Sequence, residues 1–262
     1  QPVKTWNLYL SFISIFNIIF FNVYYFSKRN TYDLFQHKLA ILVFIYIYVC
    51  AYRSIWPRIE GPNICLNKNS MSLPILGRTS ATIAEISFGL LFVLITNKLI
   101  LGISKKNMFM LAWNNILFYL IVLAQVFCWI GIITTDPSYN ALEESLWTVF
   151  GISKIILYII IYYYIGFNNS YLRYTIPIII VCVLVYTLFM ITVDVPMYIQ
   201  NAKTHNGKYN SLGDGILKLC KCNFTKKLDK WKEDIPWLSG YFTFAVWFSI
   251  GLFIFYENYK KR

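Results

Sequence analysis

Two charged side chains lie deep inside long apolar runs of the sequence, Glu85 and Lys154. Glu85 follows the start of its run at Leu73 by twelve residues, about 18 Å along a helix that rises 1.5 Å per residue. Lys154 follows Ala141 by thirteen residues, which is about 20 Å by the same rise. A charge at such depth in a bilayer is costly and usually finds a partner. We therefore predict that Glu85 and Lys154 form a buried charge pair at matching depth.

Six further charged residues cluster near one end of the apolar runs. They are Arg53, Arg58, Arg78, Glu143, Glu144 and Asp194. Guanidinium groups bind carboxylates and phosphates in a two-pronged geometry, so these arginines could meet the carboxylates or an anionic ligand. We predict that the six residues line the mouth of a polar cavity that admits an ion, a proton or an anionic headgroup. The structural alternative is that the charges neutralise one another and only fix helix packing.

The composition assigns the chain to the membrane proteins. Of its 262 residues, 58% are hydrophobic and 14% are charged, against about 45–50% and about 25% in soluble domains. A soluble protein of this size could not bury so much apolar surface, which excludes a soluble enzyme, a disordered tail and a nucleic-acid-binding module. The abundance of Phe, Tyr, Ile, Asn and Lys also indicates an AT-rich genome.

The apolar runs predict an all-α bundle of about seven transmembrane helices in a single transmembrane domain over residues 1–262. Their expected bounds are 6–26, 34–55, 73–96, 108–133, 141–166, 174–193 and 237–256. Seven spans place the two chain ends on opposite sides; we call the side before span one side A and the other side B. Lys and Arg number twelve on side A and ten on side B, so the positive-inside rule does not fix the orientation.

The basic loop over residues 197–234 is the one sizeable segment expected outside the membrane. Leu217, Cys220, Phe224, Leu228 and Trp231 are spaced 3, 4, 4 and 3 apart, which puts them on one helical face, and lysines occupy much of the remainder. This pattern predicts that the segment from residue 215 to residue 231 contains an amphipathic helix, which lies in the membrane interface before the last span. The same pattern would suit a helix packed on the ends of the bundle.

Cysteines and glycosylation sequons carry information about the compartment. The topology allows a bridge from Cys65 to Cys220 or Cys222 because all three thiols fall on side A, and the bridge would require an oxidising compartment there. Two Asn-x-Ser/Thr sequons begin at Asn168 on side B and at Asn223 on side A. At most one of them can face a glycosylating lumen.

Three functions compete. The first is an ion or small-solute pathway, or a ligand-binding membrane protein, built on the buried charges. The second is a non-catalytic subunit of a larger membrane complex, respiratory or viral-envelope. The third is an intramembrane lipid-modifying enzyme, in which Glu143, Glu144 and Asp194 would hold Mg²⁺ against a phosphate; no signature of such an enzyme is present, so the sequence leans towards a protein that is not an enzyme.

The expected partners follow from the same composition. Only two histidines occur, His37 at the start of span two and His205 outside the spans, which are too few for an axial pair or a His-rich site, so we expect no metal or haem site and identify no cofactor. Bound lipids, the bilayer and other membrane subunits are the expected partners, and nucleic acid is not. The chain is expected to be integral to an organellar, viral or plasma membrane.

Overall fold

A computed structural model describes residues 2–103, 107–167, 169–205 and 207–260. The protein is 85% helical, and seven of its helical stretches are long and apolar enough to cross a membrane. These spans are Pro2–Thr31, Leu34–Ile55, Pro74–Ile103, Met108–Thr134, Pro137–Gly166, Ser170–Thr204 and Asp234–Lys260. The prediction of an all-α, multi-pass helical protein with about seven spans is therefore confirmed.

Capping residues fix where several spans begin. The side chain of Asp33 accepts a hydrogen bond from the backbone N–H of Gln36 at 2.7 Å, and the Gln36 side chain accepts one from the Asp33 N–H at 3.0 Å. This reciprocal cap provides acceptors for two backbone N–H groups that have no partner within the helix. Asp136 and Asn169 cap the fifth and sixth spans through their side-chain oxygens alone, which accept hydrogen bonds from backbone N–H groups two or three residues later.

In the described residues, a single π-helical turn ends span five, and one such turn interrupts each of spans six and seven. The helices are α1 Pro2–Lys28, α2 Leu34–Ile55, α3 Pro74–Ile103, α4 Met108–Thr134, α5 Pro137–Ile161, α6 Ser170–Phe189, α7 Val195–Thr204, α8 Leu212–Leu219, α9 Asp234–Gly240 and α10 Val246–Lys260. The π-helical turns are Tyr162–Gly166, Met190–Asp194 and Tyr241–Ala245. Such turns insert one extra residue into a helix and often occur at functional sites.

The chain divides into two compact units. Unit 1 comprises Gln1–Leu91 and Asn210–Ile254, and unit 2 comprises Phe92–Tyr209 and Phe255–Arg262. In unit 1, the buried ring of Phe21 meets Phe44 and Phe253 edge-on, at centroid distances of 4.8 Å and 5.5 Å. In unit 2, Phe92 packs between Phe150 and Tyr158. Each unit thus has its own aromatic core.

A small sheet joins two loops within unit 1. Strands β1, Arg58–Ile59, and β2, Ile64–Cys65, are antiparallel, and β3, Asn223–Phe224, runs parallel to β2. A disulfide between Cys65 and Cys222 lies at the same place, with a Cα–Cα distance of 6.0 Å. Of the two bridges that the sequence allowed, the structure forms the one to Cys222 and leaves Cys220 as an exposed free thiol.

The helix predicted before the last span is present but shorter than expected. It is α8, which starts after the capping hydroxyl of Ser211 and ends at Leu219. The chain then turns into β3, because the disulfide and the pairing with β2 require an extended backbone there. The predicted continuation to Trp231 is therefore wrong.

Four of the five residues assigned to the apolar face of that helix have different surroundings. Leu217, Phe224 and Leu228 are 65%, 43% and 46% exposed, which leaves them open to an interface. Trp231 is fully buried, and its indole N–H donates to the carbonyl of Thr225 at 3.0 Å. Contact of the three exposed side chains with a membrane surface stays a prediction.

Candidate functional site

Four ionisable side chains of unit 1 form a continuous series of ion pairs, which we call the charged chain: Arg53, Glu60, Arg78 and Glu85. The Nη2 atom of Arg53 lies 3.2 Å from Oε1 of Glu60, whose Oε2 lies 3.9 Å from Nη1 of Arg78. Nη2 of Arg78 in turn lies 3.2 Å from Oε2 of Glu85. Positive and negative groups alternate, so the four formal charges cancel.

Three elements position the charged chain. Arg53 is in the last turn of α2, Glu60 follows β1, and Arg78 and Glu85 are seven residues apart on α3. Seven residues are two helical turns, so the two side chains lie on one face of the helix. Both are nearly buried, at 5% and 9% exposure.

Aromatic side chains enclose the inner end of the charged chain. The hydroxyl of Tyr241 donates to Oε1 of Glu85 at 3.3 Å, and the tyrosine begins the π-helical turn of the last span. The guanidinium of Arg53 lies 5.7 Å from the centre of the Tyr241 ring and 5.6 Å from that of Phe242, within cation–π range. Glu85 thus contacts both the guanidinium of Arg78 and the hydroxyl of Tyr241.

Arg58 is close in sequence to the charged chain but has a different role. Its guanidinium donates to the carbonyls of Trp56 and Leu73 and to the hydroxyl of Tyr52, at 2.7–3.0 Å. Burial lowers the pKa of Arg58, and the hydrogen bond with the Tyr52 hydroxyl opposes that shift. Because it closes the loop between spans two and three onto backbone carbonyls, Arg58 acts as a structural cation.

Glu143, Glu144 and Asp194, the three carboxylates predicted at the cavity mouth, belong to unit 2. All three interact electrostatically with Tyr198 of α7, and Asp194 ends the π-helical turn before that helix. The predicted arginines belong to unit 1, where the described carboxylates that pair with Arg53 and Arg78 are Glu60 and Glu85. Over the described residues, no three His, Cys, Asp or Glu side chains come together as a metal site, which leaves the Mg²⁺ site of the lipid-enzyme hypothesis without support.

Lys154 has neutral partners in unit 2. Its fully buried ammonium donates to Oγ1 of Thr96 at 3.0 Å and to Oδ1 of Asn114 at 2.7 Å. The rings of Phe92 and Phe150 lie 4.5 Å and 5.2 Å away and add cation–π contacts. The amide of Asn114 is itself fixed, because it donates to the carbonyl of Val93 and to Oδ1 of Asn97.

Glu85 and Lys154 therefore have separate partners, one set in each unit. Their direct pairing stays a prediction. Sequence reasoning missed Glu60 because it lies in an irregular loop without periodicity. It missed Thr96 and Asn114 because neutral polar residues inside apolar runs resemble ordinary span residues.

Glu85 and Lys154 both lie inside membrane spans. Ionisable groups inside a membrane span are rare and mark functional sites by default. Comparison with protein-family models, with curated proteins and with solved structures finds no match to this chain. The seven apolar spans make the chain a multi-pass integral membrane protein.

Proposed function

We propose that this membrane protein binds and moves a small ion, and that the charged chain is the path by which the ion enters from side A. The observation that carries the proposal is the unbroken series of contacts from Glu60, in a loop on side A, to Glu85, inside span three. Chains of acidic side chains at membrane depth are typical of proton pathways.

The depth of Glu85 supports this function. Glu85 is eleven residues from the first residue of α3, Pro74, which is about 16 Å along the helix axis. The hydrocarbon core of a bilayer is about 30 Å thick, so the carboxyl group reaches its middle region. A carboxylate placed only for helix packing would be less costly near a helix end.

The chemistry of the charged chain favours the proton over other ions. The two arginines stay protonated at all physiological pH values, so only the carboxylates can change charge. As a carboxylate, Glu85 is held by Arg78 and by the hydroxyl of Tyr241. As a neutral acid it would keep the hydrogen bond and release the cation, which gives two states of similar geometry. A metal cation would meet the repulsion of two guanidinium groups.

Proton flux into vesicles tests the proposal. The purified protein is reconstituted into liposomes that contain a pH-sensitive dye, and a potassium gradient with valinomycin drives proton entry. We expect a flux above that of protein-free vesicles, and its loss in Glu85→Gln, which keeps the shape of the side chain. The matched control is Glu233→Gln, an exposed glutamate outside the spans, which should keep the flux.

Two outcomes would overturn the proposal. One is wild-type protein that is folded, by circular dichroism, and shows no flux of protons, potassium or chloride. The other is full flux in Glu85→Gln. Absence of flux together with stable co-purification of other membrane chains would instead support the non-catalytic subunit.

The pairing of Glu85 with Lys154 is a separate proposal, supported by their equal depth in the sequence alone. Breaking a buried ion pair from one side typically costs about 3–5 kcal/mol. If the pair exists, Glu85→Gln or Lys154→Met should each destabilise the protein more than the double substitution does. Additive effects of the two substitutions would refute the pairing.

A further inference from the structure

The sequon Asn223-Phe224-Thr225 lies on an exposed part of unit 1. Asn223 and Phe224 form strand β3, and both side chains are exposed. The backbone N–H of Asn223 donates to the carbonyl of Asn63 at 2.7 Å, and that of Thr225 donates to the carbonyl of Cys65 at 3.1 Å. The backbone is therefore fixed by the sheet, while the Asn223 side chain remains accessible.

The residue immediately before this sequon forms the disulfide with Cys65. Disulfides form and persist in oxidising compartments such as the lumen of the endoplasmic reticulum, the periplasm and the cell exterior. The two bridged loops follow spans two and six, so both are on side A by the alternation of spans. The bridge therefore indicates that side A faces an oxidising compartment. The twelve basic residues on side A and the ten on side B did not fix this orientation.

We propose that side A faces the lumen of a glycosylating compartment and that Asn223 carries an N-linked glycan there. The donor is an oligosaccharide linked to a lipid through diphosphate. The amide nitrogen of Asn223 bonds to C1 of the first sugar and loses a proton to a base of the transferase. The bond between C1 and the diphosphate oxygen breaks, and the lipid diphosphate leaves with the electron pair.

Two features of the site suit this modification. The hydroxyl residue that the transferase requires is Thr225, two positions after the acceptor. The acceptor also lies away from both neighbouring spans: it is 19 residues after Thr204, the end of span six, and 11 residues before Asp234, the start of span seven. The other sequon begins at Asn168, which is outside the described residues, and falls on side B, so it should remain unmodified. This inference does not depend on the proposed ion pathway.

Expression in eukaryotic cells, followed by digestion with peptide N-glycosidase, tests the proposal. We expect the wild-type band on a denaturing gel to shift once on digestion. Asn223→Gln and Thr225→Ala should migrate like the digested protein, whereas Thr225→Ser, which preserves the sequon, should keep the shift. Ser170→Ala, which removes the other sequon, should behave as wild type.

Two outcomes of this experiment would contradict the proposal. A membrane-inserted wild-type protein that does not shift on digestion would overturn the proposal. A shift that survives Asn223→Gln and disappears in Ser170→Ala would place side B in the lumen and overturn it as well. The Thr225 variants decide the matter even if Asn223→Gln fails to fold, because Ala and Ser differ only by the hydroxyl that the transferase requires, and both variants leave Asn223 in place.

Discussion

Replacing Thr96 with valine removes one of the two acceptors of the buried Lys154 ammonium while nearly conserving side-chain volume. Oγ1 of Thr96 accepts from Lys154 at 3.0 Å and donates to the carbonyl of Phe92 at 2.7 Å. A hydrogen bond to a charged group contributes about 1.5–3 kcal/mol, and a neutral one about 0.5–1.5 kcal/mol. Thr96→Val should therefore lower the free energy of unfolding by about 2–4.5 kcal/mol.

A double-mutant cycle separates the two contributions. In a Lys154→Met background the ammonium is gone, and Thr96→Val then removes only the bond to Phe92. The difference between the two backgrounds should be about 1.5–3 kcal/mol, the contribution of the hydrogen bond to the charge. The same cycle with Lys203→Met, an exposed lysine of unit 2, should give a coupling near zero.

Equilibrium unfolding in mixed micelles, with increasing dodecyl sulfate and helix content followed by circular dichroism, supplies the four free energies. Residues that do not interact give additive effects within about 0.3–0.5 kcal/mol. A coupling between Thr96 and Lys154 below about 0.5 kcal/mol would refute the reasoning. It would mean that the ammonium gains nothing from Thr96 and is stabilised by Asn114 and the aromatic rings alone.

Three other substitutions have expected outcomes in the same unfolding assay. Gly77→Ala should destabilise by about 1–3 kcal/mol, because a Cβ atom there would lie 2.9 Å from Nε and Nη1 of the anchored Arg58. Gly151→Ala should cost a similar amount, since its Cβ would collide with the hydroxyl of Thr187. An unchanged unfolding midpoint in either variant would show that the neighbouring side chain moves aside freely. Cys222→Ser should lower stability by about 2–4 kcal/mol under oxidising conditions and have little effect in the presence of a reductant.

The spans were predictable because each is a long continuous apolar run, whereas their ends depend on local chemistry. The predicted bounds of span two, 34–55, agree with the structure, since Asp33 caps the helix there. Span six was expected to end at residue 193, before Asp194 and Pro196. It continues to Thr204 because a π-helical turn precedes α7 and the proline occupies that helix's first turn, where no backbone N–H is needed.

The site was predictable only where a helix sets the spacing. Arg78 and Glu85 share a face of α3 by periodicity, and the structure pairs them. Their further partners, Glu60 and Tyr241, come from distant parts of the chain, which periodicity does not reach. The helical pattern up to Trp231 was overridden by a strand pairing and a disulfide, both of which are tertiary interactions.

The bridge between Cys65 and Cys222 also constrains the order of events during synthesis. The two cysteines are 157 residues apart, so at about 5–20 residues per second Cys65 waits about 8–30 s for its partner to be translated. Cys220 leaves the ribosome before Cys222 and is the first of the two thiols that Cys65 can meet. The native bridge is therefore selected by the register of β2 with β3 rather than by order of arrival, and it forms only after six of the seven spans have been made.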